Sequence, residues 1–176
     1  MENHKGLVNH IGLGSLWEWE IWRDGKLINQ WEEHNICTDA GLNAILDIMF
    51  NADTQITSWY IAPFENDYTP VASATYASPG YTESSAYTEA NRPAWSGAAA
   101  SAKSVTNSAS KAVFSINATK TIYGAALVGG GTAANTKADT AGGGTLFNVS
   151  RFSSGSKSVE SGDTMKVTVT ITASDV

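Results

Sequence analysis

Apolar residues along this chain recur mostly at every second position, the spacing of a strand with one buried face, and only once at helical spacing. Ser15 to Trp22 and Lys26 to Trp31 flank Asp24-Gly25, a pair that predicts a hairpin because both turn positions tolerate positive φ. A two-residue loop sets Ile21 against Ile28 and Trp22 against Leu27. Trp17, Trp19, Ile21 and Ile28 then share one face, with Glu18, Glu20, Trp22 and Trp31 on the other.

Thr38 can cap a helix over Asp39 to Phe50, where Leu42, Ile45, Leu46 and Met49 repeat at i, i+3, i+4 and i+7 and Asp39 suits the positive helix end. Strands are predicted over Thr57 to Phe64, Ala112 to Ile116, Thr121 to Val128, Thr145 to Phe152 and Thr164 to Thr172. Two of them, Thr57 to Phe64 and Thr121 to Val128, are apolar on both faces and read as central strands. Pro63 marks where ladder pairing should stop. In the last strand Met165, Val167, Val169 and Ile171 alternate with Lys166, Thr168, Thr170 and Thr172. Pro70 to Lys111 is a long segment with one short helix predicted around Thr82 to Ala90, and Gly129 to Gly144 is a loop bounded by two triple glycines. Helices do not alternate with strands. The pattern therefore predicts a mainly β fold, an antiparallel β-sandwich (jelly-roll-like) with one amphipathic α-helix and long loops. Residues 1–14 read as an N-terminal arm and residues 15–176 as a single β-sandwich domain.

Composition narrows the function. The 176 residues suffice for one core without staples, and only 16% are charged, against roughly 25% in ordinary soluble chains. The loops are instead rich in the chain's 24 Ala, 19 Ser, 18 Thr and 16 Gly, so they pack through backbone and hydroxyls. A net charge of -6 argues against a nucleic-acid partner, which needs a basic footprint. The balance is uneven: residues 1–90 hold three bases and thirteen acids, residues 91–176 eight bases and four acids. Such a split suits complementary docking faces, or a domain that closes acidic strands onto basic ones. Cys37 is the only cysteine, so no intrachain disulfide forms. No signal-peptide core and no run of about eighteen apolar residues occurs. Synthesis and folding in a cytoplasm, with no membrane partner, are the expectation.

Reactive chemistry is sparse. His34 and Cys37 are the only nucleophile–base pair close in sequence, and a half-buried structural thiol beside a solvated histidine is the simpler reading. Glu32, Glu33, His34 and Asp39 form the densest set of potential metal ligands, but at no recognised spacing. His4 and His10 fall in the arm. Gly12 and Gly14 lack the rest of a dinucleotide fingerprint, Gly155-Ser156-Lys157-Ser158 lacks the upstream glycine of a phosphate loop, and the sequons at Asn117 and Asn148 follow no secretory signal. The expectation is no enzyme, no catalytic residue, no metal and no cofactor. Aromatics carry more content: thirteen of seventeen lie between Trp17 and Trp95, including every Trp. Most must fill the core. The surplus on the hairpin's mixed face, Trp22, Leu27 and Trp31 beside Glu18 and Glu20, is the candidate partner-contact patch.

The run Thr57-Ser58-Trp59-Tyr60-Ile61-Ala62-Pro63-Phe64-Glu65-Asn66-Asp67-Tyr68-Thr69-Pro70 follows the helix Gly41 to Phe50. Tyr81, Glu83, Tyr87, Glu89, Ala90, Arg92, Pro93 and Trp95 come after it, then the closing Gly162-Asp163-Thr164 strand. In this pattern the chain resembles the capsid cement or decoration proteins of tailed bacteriophages. The resemblance implies a β-sandwich or jelly-roll module on the capsid exterior of the virion. This chain, as a homo-oligomer (dimer or trimer), would bind the assembled shell and cement neighbouring copies of the major capsid protein, with no catalytic residues. The alternative is a tail fibre or spike module binding a receptor or glycan, whose exposed Trp and Tyr stack on sugar rings.

Overall fold

The structure, a computed structural model, describes residues 11–175. The hairpin strands β1 (Ile11–Arg23) and β2 (Lys26–His34) are followed by a short β3 (Ile36–Cys37) and the helix α1 (Asp39–Phe50). Then come β4 (Trp59–Phe64), β5 (Ala94–Trp95), β6 (Ser104–Thr106), β7 (Ala112–Ser115), β8 (Lys120–Ile122) and β9 (Gly124–Gly129). The chain ends with β10 (Thr145–Arg151), β11 (Lys157–Val159) and β12 (Thr164–Asp175). One sheet runs β2-β1-β12, with β12 joined on its far side by β7 and β6; the other runs β3-β10-β9-β4-β5. A ribbon of β8 and β11 stands apart. Among the described residues every pairing is antiparallel and there is one helix; the fold is mainly β and sandwich-like.

Two hydrophobic clusters occupy the two faces of the second sheet. Between the sheets, Trp17, Trp19 and Ile21 of β1 and Met165, Val167 and Val169 of β12 meet Ile61, Leu127 and Phe147. On the outer face, Ala62, Phe64, Ala126, Val128 and Leu146 are covered by Ala74, Tyr76 and Ala134 from the two long loops. This is why β4 and β9 read as apolar on both faces. The loops form a third layer, pinned by Arg92, whose side chain is 2% exposed and whose partner Glu83 is 4% exposed. Its guanidinium donates to both Glu83 carboxylate oxygens, to Tyr76 Oη (3.1 Å) and to the Ala134 (2.9 Å) and Asp139 (3.0 Å) carbonyls.

Glu83's position explains why Thr82 to Ala90 is not the helix expected there. The segment lies extended against β4, with Glu65 N donating to Thr82 O and Ser84 N to Pro63 O, and Glu83 turned inward. Strand β4 continues through Pro63, because its missing N–H lies on the side that β5 leaves unpaired beyond Tyr60. The strand predicted from Thr121 to Val128 is two strands, split at Tyr123, whose N–H donates to Phe64 O while its carbonyl accepts from Phe152 N. At the start of the domain, β1 reaches back to Ile11 and pairs with β12 as far as Asp175, so residues 11–14 are ladder rather than arm. Residues 1–10, with His4 and His10, lie outside the described residues.

The two charged halves close on each other. Glu20–Lys111, Glu65–Lys120, Asp67–Arg151 and Glu83–Arg92 each join an acid of the first half to a base of the second. Of the two outcomes the charge split allowed, intramolecular closure accounts for these eight side chains.

Candidate docking surface

The helix owes its position to small residues. Thr38 caps it, its hydroxyl accepting from Gly41 N at 3.0 Å and donating to the Leu146 carbonyl, while Thr38 N donates to Phe147 O at 3.0 Å. Asp39 N donates to Ala72 O at 2.8 Å. Gly41 is the one fully buried helical residue. A Cβ there would stand 2.8 Å from Phe147 Cα and 3.0 Å from its carbonyl carbon, nearer still to the oxygen. The helix backbone therefore rests directly on the β10 backbone, with Ala40, Ala44 and Ile48 half-buried on the same side.

That seating turns the large apolar stripe outward. Leu42, Ile45, Leu46, Met49 and Phe50 are all exposed, reaching 52% at Leu46, 69% at Met49 and 76% at Phe50. An amphipathic helix ordinarily buries such a stripe; here close backbone contact at Gly41 leaves it to solvent. Beside it, a slot of about 200 Å³ opens between the sheets, lined only by apolar residues: Leu13, Ile45, Trp59, Trp95, Leu127, Phe147 and Ile171. The two indoles are cross-strand neighbours. Trp95 is fixed by its Nε1–H, which donates to Val169 O at 3.0 Å. Ile11, Ile36 and Val71 are further exposed apolar residues. An exposed contiguous apolar stripe of this kind is the mark of a contact surface.

The patch expected on the hairpin does not form as one surface. A β-bulge shifts the β1–β2 register between Ile21 and Trp22, so Ile21 faces Asn29 and Ile28 is left exposed rather than joining the core face. The same shift sets Trp31 opposite Trp19, on the core face. Their rings stack at 5.8 Å and 4°, and Phe152 meets Trp31 edge-on at 5.1 Å. Trp22 and Leu27 do face each other on the outer side with Glu18 and Glu20. Trp22 Nε1 donates to Glu20 Oε2 at 2.7 Å, and Lys166 lies 4.5 Å over its ring. Lys111 donates to Glu20 Oε1 and holds that carboxyl below its usual value, aided by the Trp22 N–H. Glu20 and Trp22 are thus committed within the chain, and Glu18 faces Glu32. No family model, curated protein or solved structure matches the chain.

Among the described residues no hydrogen bond joins His34 to Cys37. The Cys37 thiol is half-buried, its contacts are Asn35 Nδ2 (3.6 Å) and the Leu13 carbonyl (3.7 Å), and burial pushes its pKa up, away from a nucleophilic thiolate. His34 is held through its backbone carbonyl, which accepts from Ser150 Oγ. Glu33 is buried and accepts from Ser153 Oγ at 3.2 Å. Among the described residues no group of three or more His, Cys, Asp and Glu side chains is placed to hold a metal ion. What sequence reading missed was the helix face. The signal was present as Ala40, Gly41 and Ala44 on the side opposite the apolar stripe, a row of small residues that suits close approach.

Proposed function

We propose that this chain is a virion structural protein that binds the outer surface of an assembled capsid and bridges neighbouring major capsid subunits. The α1 face serves as the contact. The observation that carries the reading is the outward stripe Leu42, Ile45, Leu46, Met49 and Phe50 on a helix whose other side is already seated. The exposed part of these residues gains nothing internally, whereas covering it with a partner contributes up to about 1.5–3 kcal/mol for the most exposed, Met49 and Phe50, before association costs. The sandwich, the loop layer fixed by Arg92 and the likeness to phage decoration proteins support a rigid module of this kind. Assembly as a dimer or trimer and a place on the capsid exterior belong to the same proposal.

The test is co-sedimentation with particles assembled in the absence of this protein. The wild-type chain should pellet with the particles and not with unassembled coat subunits, and Leu46→Ser with Met49→Ser should weaken binding about tenfold or more. Binding to free subunits alone, or displacement from particles by free saccharides, would refute it; the latter would favour receptor binding.

A further inference from the structure

The apolar face of α1 is bordered by acids. Asp39 is exposed in its first turn, Asp47 adjoins Leu46 and Asp53 follows its last turn. Between Thr38 and Gly97 the only basic side chain is Arg92, buried against Glu83 far from solvent. We infer that the surface covering this face is a protein whose apolar contact is flanked by lysine or arginine, one apolar side chain of which enters the slot between Ile45, Trp59 and Trp95. This rests on the docking reading above and names the chemistry of the partner.

Charge and volume select that occupant. A second copy seated face to face would set Asp39, Asp47 and Asp53 against their own counterparts, and like charges in a closing interface cost several kcal/mol. The chain's bases are also largely engaged. Arg23, Arg92, Lys103, Lys111, Lys120 and Arg151 are in ion pairs, and Lys157 and Lys166 lie over indoles. An anionic membrane is repelled for the same reason. The slot, about 200 Å³, is smaller than small-molecule sites of roughly 300 Å³ and above, and its lining offers an apolar side chain a dry seat without polar groups to orient a ligand. An anchor of this type is where binding energy concentrates.

The experiment titrates the full chain, followed by methyl and indole N–H NMR, with two amphipathic helical peptides, one of Leu and Lys, one of Leu and Glu. The Leu/Lys peptide should shift the signals of Leu42, Leu46, Met49 and the Trp95 indole and bind about tenfold tighter than the Leu/Glu peptide at low salt. High salt should erase that preference. Asp39→Asn with Asp47→Asn should erase it too, and Ile45→Trp, which fills the slot, should weaken both peptides. Equal binding of the two peptides, or shifts confined to another surface, overturns the inference. So does a dimer in sedimentation velocity that Leu46→Ser disperses, since the face then belongs to a second copy. Applied to particles, the same variants separate the two proposals. A chain that takes the Leu/Lys peptide at α1 but ignores particles refutes the capsid as partner and leaves the chemistry of the face standing. Particle binding unaffected by any of these variants refutes the face.

Discussion

Replacing Gly41 by alanine separates two opposed effects at one atom. In an exposed helix interior the change removes backbone entropy from the unfolded chain and stabilises by about 1 kcal/mol. At Gly41 the new methyl would meet Phe147 Cα at 2.8 Å and its carbonyl carbon at 3.0 Å, and these are strand backbone atoms that cannot rotate away. Either β10 bends or α1 lifts, and lifting stretches the Thr38 N to Phe147 O bond as well. Overpacking of a side chain costs about 1–3 kcal/mol, and a rigid backbone obstacle belongs at the upper end. The net expectation is a loss of about 1–2 kcal/mol after the propensity gain. For a domain of this length that lowers the melting temperature by about 2–8 °C. Thermal and urea unfolding measure it, with Asn43→Ala, at an exposed position of the same helix, as the control that should stabilise by a few tenths of a kcal/mol. If Gly41→Ala is as stable as that control or more so, α1 does not rest on β10 as described, and the reason given for its outward apolar face is wrong.

Arg92→Met should destabilise by about 3–5 kcal/mol, because it strands Glu83 in the loop layer, and Glu83→Gln added to it should recover part of the loss in urea titrations. Trp31→Ala should cost about 2–3 kcal/mol by vacating the stack on Trp19 and Phe152, while Trp22→Ala should change the melting temperature little; equal effects would argue against the bulged register. Arg23 holds the Asp163 carboxyl below its ordinary value, and hydrogen bonds from Tyr76 and Gly142 N do the same for Asp139. The folded chain therefore binds fewer protons than the unfolded one across the acid range. This stabilisation is complete above the ordinary carboxylate pKa of about 4 and is lost as pH falls through the depressed folded values. Asp163→Asn should flatten the decline of melting temperature with acid, and an unchanged slope would show that the Arg23 pair contributes nothing.

Period-two alternation was enough to locate β1, β2, β7 and β12, because each of these strands has one face toward the core and the pleat dictates the rest. It also found β4 and β9 as central strands, through apolar residues on both faces. It did not reveal that the second face is covered by loops, since Tyr76, Arg92 and Ala134 are far apart in sequence and meet through the Arg92 guanidinium, which donates to Tyr76 Oη and to the Ala134 carbonyl. The hairpin turn was legible in Asp24-Gly25, yet a single extra residue at Ile28 reversed the facing of Trp31, because register beyond a bulge depends on the partner strand. The helix is legible in extent and capping, whereas its facing is not, because periodicity reports that a stripe exists and says nothing of whether the core or a partner takes it. That choice was made by Gly41, through a clearance visible only once Phe147 is in place.

The most direct measurement on the central claim is hydrogen exchange of the chain bound to particles against the chain free. Binding through α1 should add protection in α1 and in the Trp59 and Trp95 strands and leave the Arg23 to Leu27 hairpin tip unchanged. Protection confined to the hairpin tip and to the outer strand face around Trp22, with α1 exchanging as in the free chain, would contradict it.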